Sequence, residues 1–209
     1  NPETGDNLAY ILNDAEVRVL LCEGEEHLKK VAAVSGSLPH LQRIVTVKAI
    51  AKADDPRVRA LDDWMAPTPI AEPFHTPADF DGRRTLATIV YTSGTTGRPK
   101  GAMLSHGNLL HNVNSCRLVL DTVESDRYAV LLPLFHSYML TVGLLLPLLN
   151  GASIVLIKSL HHPQHILREI YQHAATTLPA IPQFYRTLAH ANLPAKLPFR
   201  LCVSGAAPL

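Results

Sequence analysis

Short runs of β-branched and aliphatic residues alternate along the chain with longer segments in which apolar residues recur at helical spacing. The short runs predict strands at Val17–Cys22, Arg43–Val47, Thr85–Tyr91, Tyr128–Leu132, Ala152–Ile157, Thr176–Leu178 and Arg200–Val203. Because helical patterns separate these runs, we expect right-handed crossovers between consecutive strands. The alternation predicts an α/β fold built mostly from parallel sheet layers.

Hydroxyl residues and prolines mark the expected helix starts. Thr4 and Ser105 can cap helices, and Pro163 suits a first helical turn. In the helix after Pro163, the spacing predicts that four residues face the core: Leu167, Ile170, Tyr171 and Ala174. The remaining helical patterns cover Glu25–Val34, Ser137–Leu149 (with a bend at Pro147) and Pro182–His190.

A proline-rich stretch divides the chain. Ala66–Asp79 holds Pro67, Pro69, Pro73 and Pro77, a spacing that excludes both a helix and a central strand. The predicted organisation is therefore an N-terminal α/β segment at 1–65, a connector at 66–84 and a second α/β segment at 85–209. Nothing indicates an internal repeat.

Composition excludes several classes of protein. Hydrophobic residues make up 47% and charged residues 18% of the 209 positions, which excludes an intrinsically disordered chain. The net charge of +1 excludes nucleic-acid binding driven by overall charge. The most apolar stretch, Met139–Leu149, is too short for a membrane span. The three cysteines form no CxxC pair, so we expect them to be reduced thiols. Since no signal peptide is recognisable, we expect a cytoplasmic location and leave peripheral association with membranes open.

The segment Tyr91–Gly101, YTSGTTGRPKG, carries the candidate chemistry. It combines three glycines, four hydroxyl residues and Lys100 between a predicted strand and a predicted helix. Glycines allow close backbone approach and can direct successive N–H groups into one concavity, hydroxyls can donate to phosphate oxygens, and a lysine adds positive charge. The spacing differs from the Walker A motif, because Arg98 and Pro99 separate Gly97 from Lys100. The segment predicts a polyphosphate site, and a solvated turn without a ligand is the alternative.

YTSGTTGRPKGAMLSHGNLL closely resembles the phosphate-loop signature of the adenylate-forming superfamily. The segments NPETGDNLAYILNDAEVRVLL, PLFHSYMLTVGLLLPLLNGASIVL and SGAAPL also resemble segments of that family, the second in its acyl-CoA synthetase form. The resemblance covers nearly the whole chain. It implies an incomplete large N-terminal domain of an enzyme that joins a carboxylic acid to ATP as an acyl-adenylate and passes the acyl group to coenzyme A.

The resemblance also implies roles for individual residues. The ATP phosphates would be bound by Thr92, Ser93, Gly94, Thr95, Thr96, Gly97 and Lys100. His136 and Ser137 match positions near the reacting carboxylate and the thiol channel. Gly205, Ala206 and Ala207 match backbone that borders the adenine and the acyl chain. The family's Mg²⁺-binding glutamate and catalytic lysine have no counterpart here and would lie after Leu209, so we expect no metal site and no certain catalytic residue in this chain.

Alternatives to a fatty-acid–CoA ligase remain at this stage. One is an amino-acid or aryl-acid adenylation domain, which differs in its pocket and its thiol acceptor. Another is a nucleotide-binding module without catalysis. The loop spacing disfavours a P-loop kinase or NTPase. We further expect the isolated 209-residue chain to be inactive as a ligase and to self-associate through uncovered apolar surface.

Overall fold

The computed structural model describes residues 5–50, 53–66, 75–92, 97–157, 163–191, 193–194 and 196–208. The chain divides into two compact units, Asn1–Phe80 with Tyr91–Met103, and Asp81–Val90 with Leu104–Leu209. The three-part division expected from the sequence stays a prediction. In the structure, residues 91–103 belong with the N-terminal unit, and the described part of the connector, residues 75–84, contains turns but neither helix nor strand.

The first unit contains a parallel three-stranded sheet. Its elements are α1 (Gly5–Asp14), β1 (Val19–Cys22), α2 (Glu25–Ala32), β2 (Arg43–Thr46), β3 (Val58–Ala60) and α3 (Leu61–Trp64). The strand order is β1-β2-β3, with both pairs parallel. The core of this unit consists of Leu12, Cys22, Val31, Leu38, Leu41, Ile44 and Val58. The predicted helices and strands of residues 5–46 are thus present, each ending within a few residues of its expected bounds.

Strand β3 and helix α3 were not predicted. Each is only three or four residues long, so neither displays a measurable period. Strand β3 exists because its backbone pairs with β2, and only Val58 of its three residues is buried. Pairing with β2, rather than a local pattern, determines β3.

Next come β4 (Leu86–Thr92), β5 (Lys100–Ser105) and α4 (His106–Leu120), with β4 and β5 adjacent in a two-stranded sheet. The expected strand–loop–helix order is therefore wrong, because a strand lies between the loop and α4. The N-terminus of α4 is capped by Ser105 as predicted: its Oγ accepts from the backbone N–H of Asn108 at 3.2 Å, and Asn108 Oδ1 accepts from the N–H of Ser105 at 2.9 Å. This capping box begins the helix six residues after Lys100.

The second unit contains a four-stranded parallel sheet. After α4 its elements are β6 (Arg127–Val130), a π-helix (Met139–Leu145), α5 (Leu146–Leu149), β7 (Ser153–Leu156), α6 (Pro163–Gln172), β8 (Thr177–Ala180), α7 (Pro182–Ala189) and β9 (Leu201–Ser204). The strand order is β7-β6-β8-β9, and all three pairs are parallel. The parallel α/β architecture predicted from the alternation is confirmed.

Helices cover both faces of this sheet. Side chains alternate along β6, so Tyr128 and Val130 pack on one face while Ala129 and Leu131 pack on the other. The first face is covered by α4, the π-helix and α5, and the second by α6 and α7. Consequently all four residues of β8 are buried, as are all residues of β6 except Arg127.

Two helical predictions need correction. Along α6, Ile170 is buried and Leu167 packs against the core as predicted, and Ile166 is buried too. Tyr171, in contrast, is 39% exposed and donates its hydroxyl hydrogen to the carbonyl of Lys196. Ala174 lies beyond the helix with a φ of 46°. The segment expected as one helix bent at Pro147 is a π-helix followed by α5, where the proline occupies a first-turn position that tolerates it.

The amino ends of three strands meet at the buried carboxylate of Asp126. It accepts hydrogen bonds from Arg200 Nη2 at 2.6 Å, Arg200 Nε at 3.0 Å, Thr176 Oγ1 at 2.9 Å and the backbone N–H of Val123 at 3.0 Å. Asp126 directly precedes β6, Thr176 precedes β8 and Arg200 precedes β9. Burial by itself would raise the pKa of Asp126, but the hydrogen bonds from Arg200, Val123 and Thr176 outweigh it and lower the pKa.

The apolar surface of α4 is largely uncovered within its own unit. Leu118 and Val119 are 81% and 83% exposed, and only Val113 of the helix is buried. Self-association through such a surface stays a prediction. Among the described residues, none of the helices has the length and apolar character needed to cross a bilayer.

We predict that Asp126→Asn destabilises the chain by about 2–4 kcal/mol, because every partner of the carboxylate is a donor and the new amide nitrogen would face one of them. The lowered pKa means that the carboxylate contributes stability above about pH 3.9, its value in the unfolded chain, and loses it as pH falls through the folded-state value. Urea unfolding from pH 7 to pH 3 measures both effects. A variant with the wild-type free energy and pH dependence would contradict this account.

A second prediction concerns Thr46, a fully buried residue of β2 whose Oγ1 has no hydrogen-bond partner among the described residues. Thr46→Val removes this unpaired hydroxyl at nearly constant volume and should stabilise the chain by about 1 kcal/mol in urea unfolding. The matched control is Thr122→Val, because the buried Thr122 hydroxyl pairs with Tyr128 Oη at 2.8 Å. That control should destabilise the chain, and equal effects of the two variants would refute the prediction.

Candidate functional site

The phosphate-loop segment leaves β4 at Thr92 and enters β5 at Lys100. Both residues are exposed, and Gly97 between them has a φ of +87°, a left-handed conformation that favours glycine. Four of the predicted phosphate-binding residues, Ser93, Gly94, Thr95 and Thr96, lie outside the described residues. The described flanks thus place Thr92 at the carboxyl end of a strand and Lys100 at the start of its neighbour.

Since β5 follows this loop, the amides at the N-terminus of α4 are not adjacent to it in the chain. The positive groups of the described flanks are the side chains of Arg98 and Lys100, both exposed.

Two side chains of α1 contact the flanks of the loop. Tyr91 Oη donates to Asp14 Oδ2 at 2.5 Å, and Arg98 Cζ lies 5.5 Å from the centroid of the Tyr10 ring. Burial, the hydrogen bond to Asp14 and its negative charge raise the pKa of Tyr91 to about 12. The sequence analysis missed Tyr10 and Asp14, since nothing in a linear motif indicates a contact between positions separated by 77 residues.

The second group of predicted site residues lies at the carboxyl edge of the four-stranded sheet. The connection after β6 packs on one face and those after β7 and β8 pack on the other, so the strand order reverses between β6 and β8. Open parallel sheets bind ligands at such a reversal, outside the carboxyl ends of the strands. His136 follows β6 and Gly205 follows β9, and the N–H of Gly205 donates to the carbonyl of Ala180 at 3.1 Å.

His136 is exposed and its ring orientation is set by the backbone. Its Nδ1 accepts a hydrogen bond from the N–H of Tyr138 at 3.3 Å. The ring hydrogen must then be on Nε2, which makes Nε2 a donor. A donor directed away from its own backbone can bind a carboxylate or phosphate oxygen. The adjacent Ser137 is also exposed.

Tyr138 connects His136 with Gly205, and the sequence analysis did not single it out. Its hydroxyl donates to the carbonyl of Val203 at 2.8 Å, and burial raises its pKa to about 12. Its ring lies so close to Gly205 that a Cβ added there would be 2.8 Å from Tyr138 Cε2. The structure therefore brings together His136, Tyr138 and Gly205.

Ala206 and Ala207 follow Gly205 at the exposed end of β9. Ala206 has a φ of 65°, which is uncommon for a residue with a Cβ. Backbone held in this conformation turns the chain sharply beside Gly205. The role of these residues at the border of an adenine or acyl group stays a prediction.

Among the described residues, no group of three or more His, Cys, Asp or Glu side chains is placed to hold a metal ion. The resemblance places the Mg²⁺-binding glutamate outside these residues, and we derive no step through the metal.

A parallel sheet with helices on both faces, a glycine- and hydroxyl-rich loop between two strands, and polar residues at a strand-order reversal are features typical of nucleotide-binding α/β proteins. The family model described as AMP-binding enzyme matches residues 3–209. The chain belongs to this family, the adenylate-forming enzymes.

Relatives and solved structures agree. The chain is 33% identical over 137 residues to the long-chain-fatty-acid–CoA ligase FadD15 of Mycobacterium tuberculosis. This match covers 64% of the chain and 22% of the relative. It is 32% identical to a feruloyl-CoA synthase of Amycolatopsis sp over 87% of the chain and 32% of the relative. The chain therefore spans about a third or less of the length of these two curated relatives.

Among solved structures, the anthranilate CoA ligase AuaEII in complex with anthranoyl-AMP superimposes with a TM-score of 0.80 at 26% identity, over 97% of this chain and 39% of that one. ATP-bound MatB from Rhodopseudomonas palustris superimposes with a TM-score of 0.77 at 29% identity, over 99% of this chain and 39% of that one. The fold predicted from the resemblance is thereby confirmed.

We predict that Gly205→Ala destabilises the chain by about 1–3 kcal/mol, because the new methyl group displaces a Tyr138 ring that its hydrogen bond to Val203 holds in place. Urea unfolding measures the loss. Gly36→Ala is the control, since a Cβ there meets nothing within 4 Å. In a Tyr138→Ala background the penalty at position 205 should largely disappear. Additive effects of the two substitutions would contradict the proposed contact.

Proposed function

We propose that this chain is the ATP-phosphate-binding and part of the acyl-binding region of an AMP-forming acid–CoA ligase. Family membership over residues 3–209 is the observation that carries the proposal. It is supported by the loop between β4 and β5, which has the residue types that bind phosphate, and by the His136–Tyr138–Gly205 cluster at the sheet edge.

In the proposed reaction a carboxylate oxygen of the acid attacks the α-phosphorus of ATP. A new P–O bond forms, the bond to the β-phosphate breaks and pyrophosphate leaves. The thiol of coenzyme A then loses its proton and its sulfur attacks the acyl carbon, whereupon the C–O bond to AMP breaks. AMP serves as the leaving group that a free carboxylate lacks, so the protein mainly has to position the reactants and neutralise charge.

The residue roles follow the chemistry of each group. We assign Lys100 and the loop Thr92, Ser93, Gly94, Thr95, Thr96 and Gly97 to the β- and γ-phosphates. We assign the Nε2–H of His136 and the neighbouring Ser137 to the reacting carboxylate and the approach of the thiol. The backbone of Gly205, Ala206 and Ala207 would border the adenine and the acyl group.

A fatty acid is the proposed substrate, with an aryl acid as the second candidate. Relatives named for each kind of acid match this chain at 33% and 32% identity. The Tyr138 ring packed against Gly205 favours the aryl candidate. The ring narrows the space beside Gly205 and provides an aromatic surface on which an aryl group could stack.

The test is carboxylate-dependent exchange of pyrophosphate into ATP, measured on the protein encoded by the complete reading frame that contains these residues. Fatty and aryl acids are assayed in parallel. We expect exchange with one class and, from Lys100→Ala, a loss of about tenfold or more in kcat/KM for ATP, because a charged phosphate contact is removed.

Lys29→Ala is the matched control. Lys29 is an exposed lysine of α2, 3.2 Å from Glu25, so its loss changes the net charge equally and should leave the exchange unchanged. Absence of exchange with every acid would refute the proposed function. The isolated 209-residue chain should form no thioester, because the proposed site has neither the catalytic lysine nor the metal-binding glutamate of the family.

A further inference from the structure

Both flanks of the phosphate loop are held by the same helix. Tyr91, the penultimate residue of β4, donates its hydroxyl hydrogen to Asp14 at 2.5 Å. Arg98, on the other side of the loop, places its guanidinium 5.5 Å from the ring centroid of Tyr10. All four residues belong to the first unit.

The geometry of α1 explains how one helix reaches both flanks. Tyr10 and Asp14 are four residues apart, so their side chains lie on the same face about one turn apart. Tyr91 and Arg98 are seven positions apart along the chain and enclose the segment 92–97. The two contacts therefore span the loop and connect it to a regular element rather than to another loop.

The two contacts differ in chemistry and complement each other. The Tyr91–Asp14 bond has an anionic acceptor, which strengthens it relative to a neutral pair. The raised pKa of Tyr91, about 12, keeps its hydroxyl protonated and donating at physiological pH. The Arg98–Tyr10 contact is a cation–π interaction, which contributes even at exposed sites. It leaves the N–H groups of the guanidinium edge available to other acceptors.

A glycine-rich loop loses much conformational freedom when it binds a ligand, and fixing its two flanks beforehand reduces that loss. We propose that Tyr10 and Asp14 are positioning residues for the phosphate loop: they hold Arg98 and Tyr91, which flank the loop, in place before nucleotide binds. Neither residue is assigned a contact with substrate. The proposal rests on the proposed function for its effect on ATP, while its structural content concerns the loop alone.

The first experiment is hydrogen–deuterium exchange of the complete protein without nucleotide, followed on peptides that cover residues 86–105. Asp14→Ala and Tyr91→Phe should each accelerate exchange in this segment severalfold and leave the second unit unchanged. Asp14→Asn, which keeps an acceptor oxygen, should restore most of the protection. Tyr10→Leu should accelerate exchange on the Arg98 side, and Tyr10→Phe, which keeps the aromatic face, should not.

The second experiment is pyrophosphate exchange with ATP varied and the carboxylic acid saturating. Asp14→Ala and Tyr91→Phe should each raise KM for ATP about threefold to tenfold, with KM for the acid and kcat nearly unchanged. The double variant should be no worse than either single one, because both remove the same hydrogen bond. Asp6→Ala, which removes an acidic residue eight positions earlier on α1, is the charge control and should behave as wild type.

The two measurements distinguish a failure of this proposal from a failure of the proposed ligase reaction. If Asp14→Ala and Tyr91→Phe exchanged deuterium at the wild-type rate, the proposal would be overturned whatever the catalytic result. Equal increases in KM for ATP and for the acid, together with faster deuterium exchange throughout the chain, would also overturn it and indicate general destabilisation. Localised deuterium exchange in a protein that lacks pyrophosphate exchange with every acid would support the positioning role while refuting the ligase function.

Discussion

The carboxylate of Asp126 organises the second unit. It is buried just before β6 and binds groups that stand just before β8 and β9, so the amino ends of three parallel strands are fixed relative to one another. Parallel strands that start together also end at one edge, and that edge carries His136, Tyr138 and Gly205. Such an ion pair stabilises the fold only when the carboxylate is fully hydrogen-bonded, because burying a carboxylate with an unfilled acceptor site costs free energy. The candidate acyl region thus depends on an interaction at the opposite edge of the sheet.

The phosphate loop is supported differently. It lies between two strands, and the capped start of α4 comes six residues after Lys100. The positive charge of its described flanks comes from Lys100 and Arg98, and Tyr91 and Arg98 contact α1. The proposed nucleotide site resembles the Walker A loop in composition but differs from it in the element that follows. The mutational predictions for Asp14 and Tyr10 are specific to this arrangement.

Much of the architecture could be predicted because local pattern and tertiary packing agree. Runs such as RIVTV and ASIVLI are β-branched and apolar, and they form β2 and β7. Ser105 caps α4 because the capping box is a purely local interaction between neighbours in sequence. Prediction failed where the decisive partner lies outside the segment itself: β3 pairs with β2, β5 pairs with β4, and Tyr171 turns outward toward the carbonyl of Lys196.

The sequence by itself determined the parallel α/β class, the family and the loop that carries the candidate chemistry, because hydrophobic period and the Gly, Thr and Lys content of a short motif are local properties. Only the tertiary structure decided that a strand follows the loop, that α1 holds both of its flanks, and that Tyr138 packs on Gly205. The contacts of α1 join residues 77 and 88 positions apart, and Tyr138 and Gly205 are 67 positions apart. The free energy of such contacts comes from burial and hydrogen bonding between elements, which no pattern along a single segment encodes.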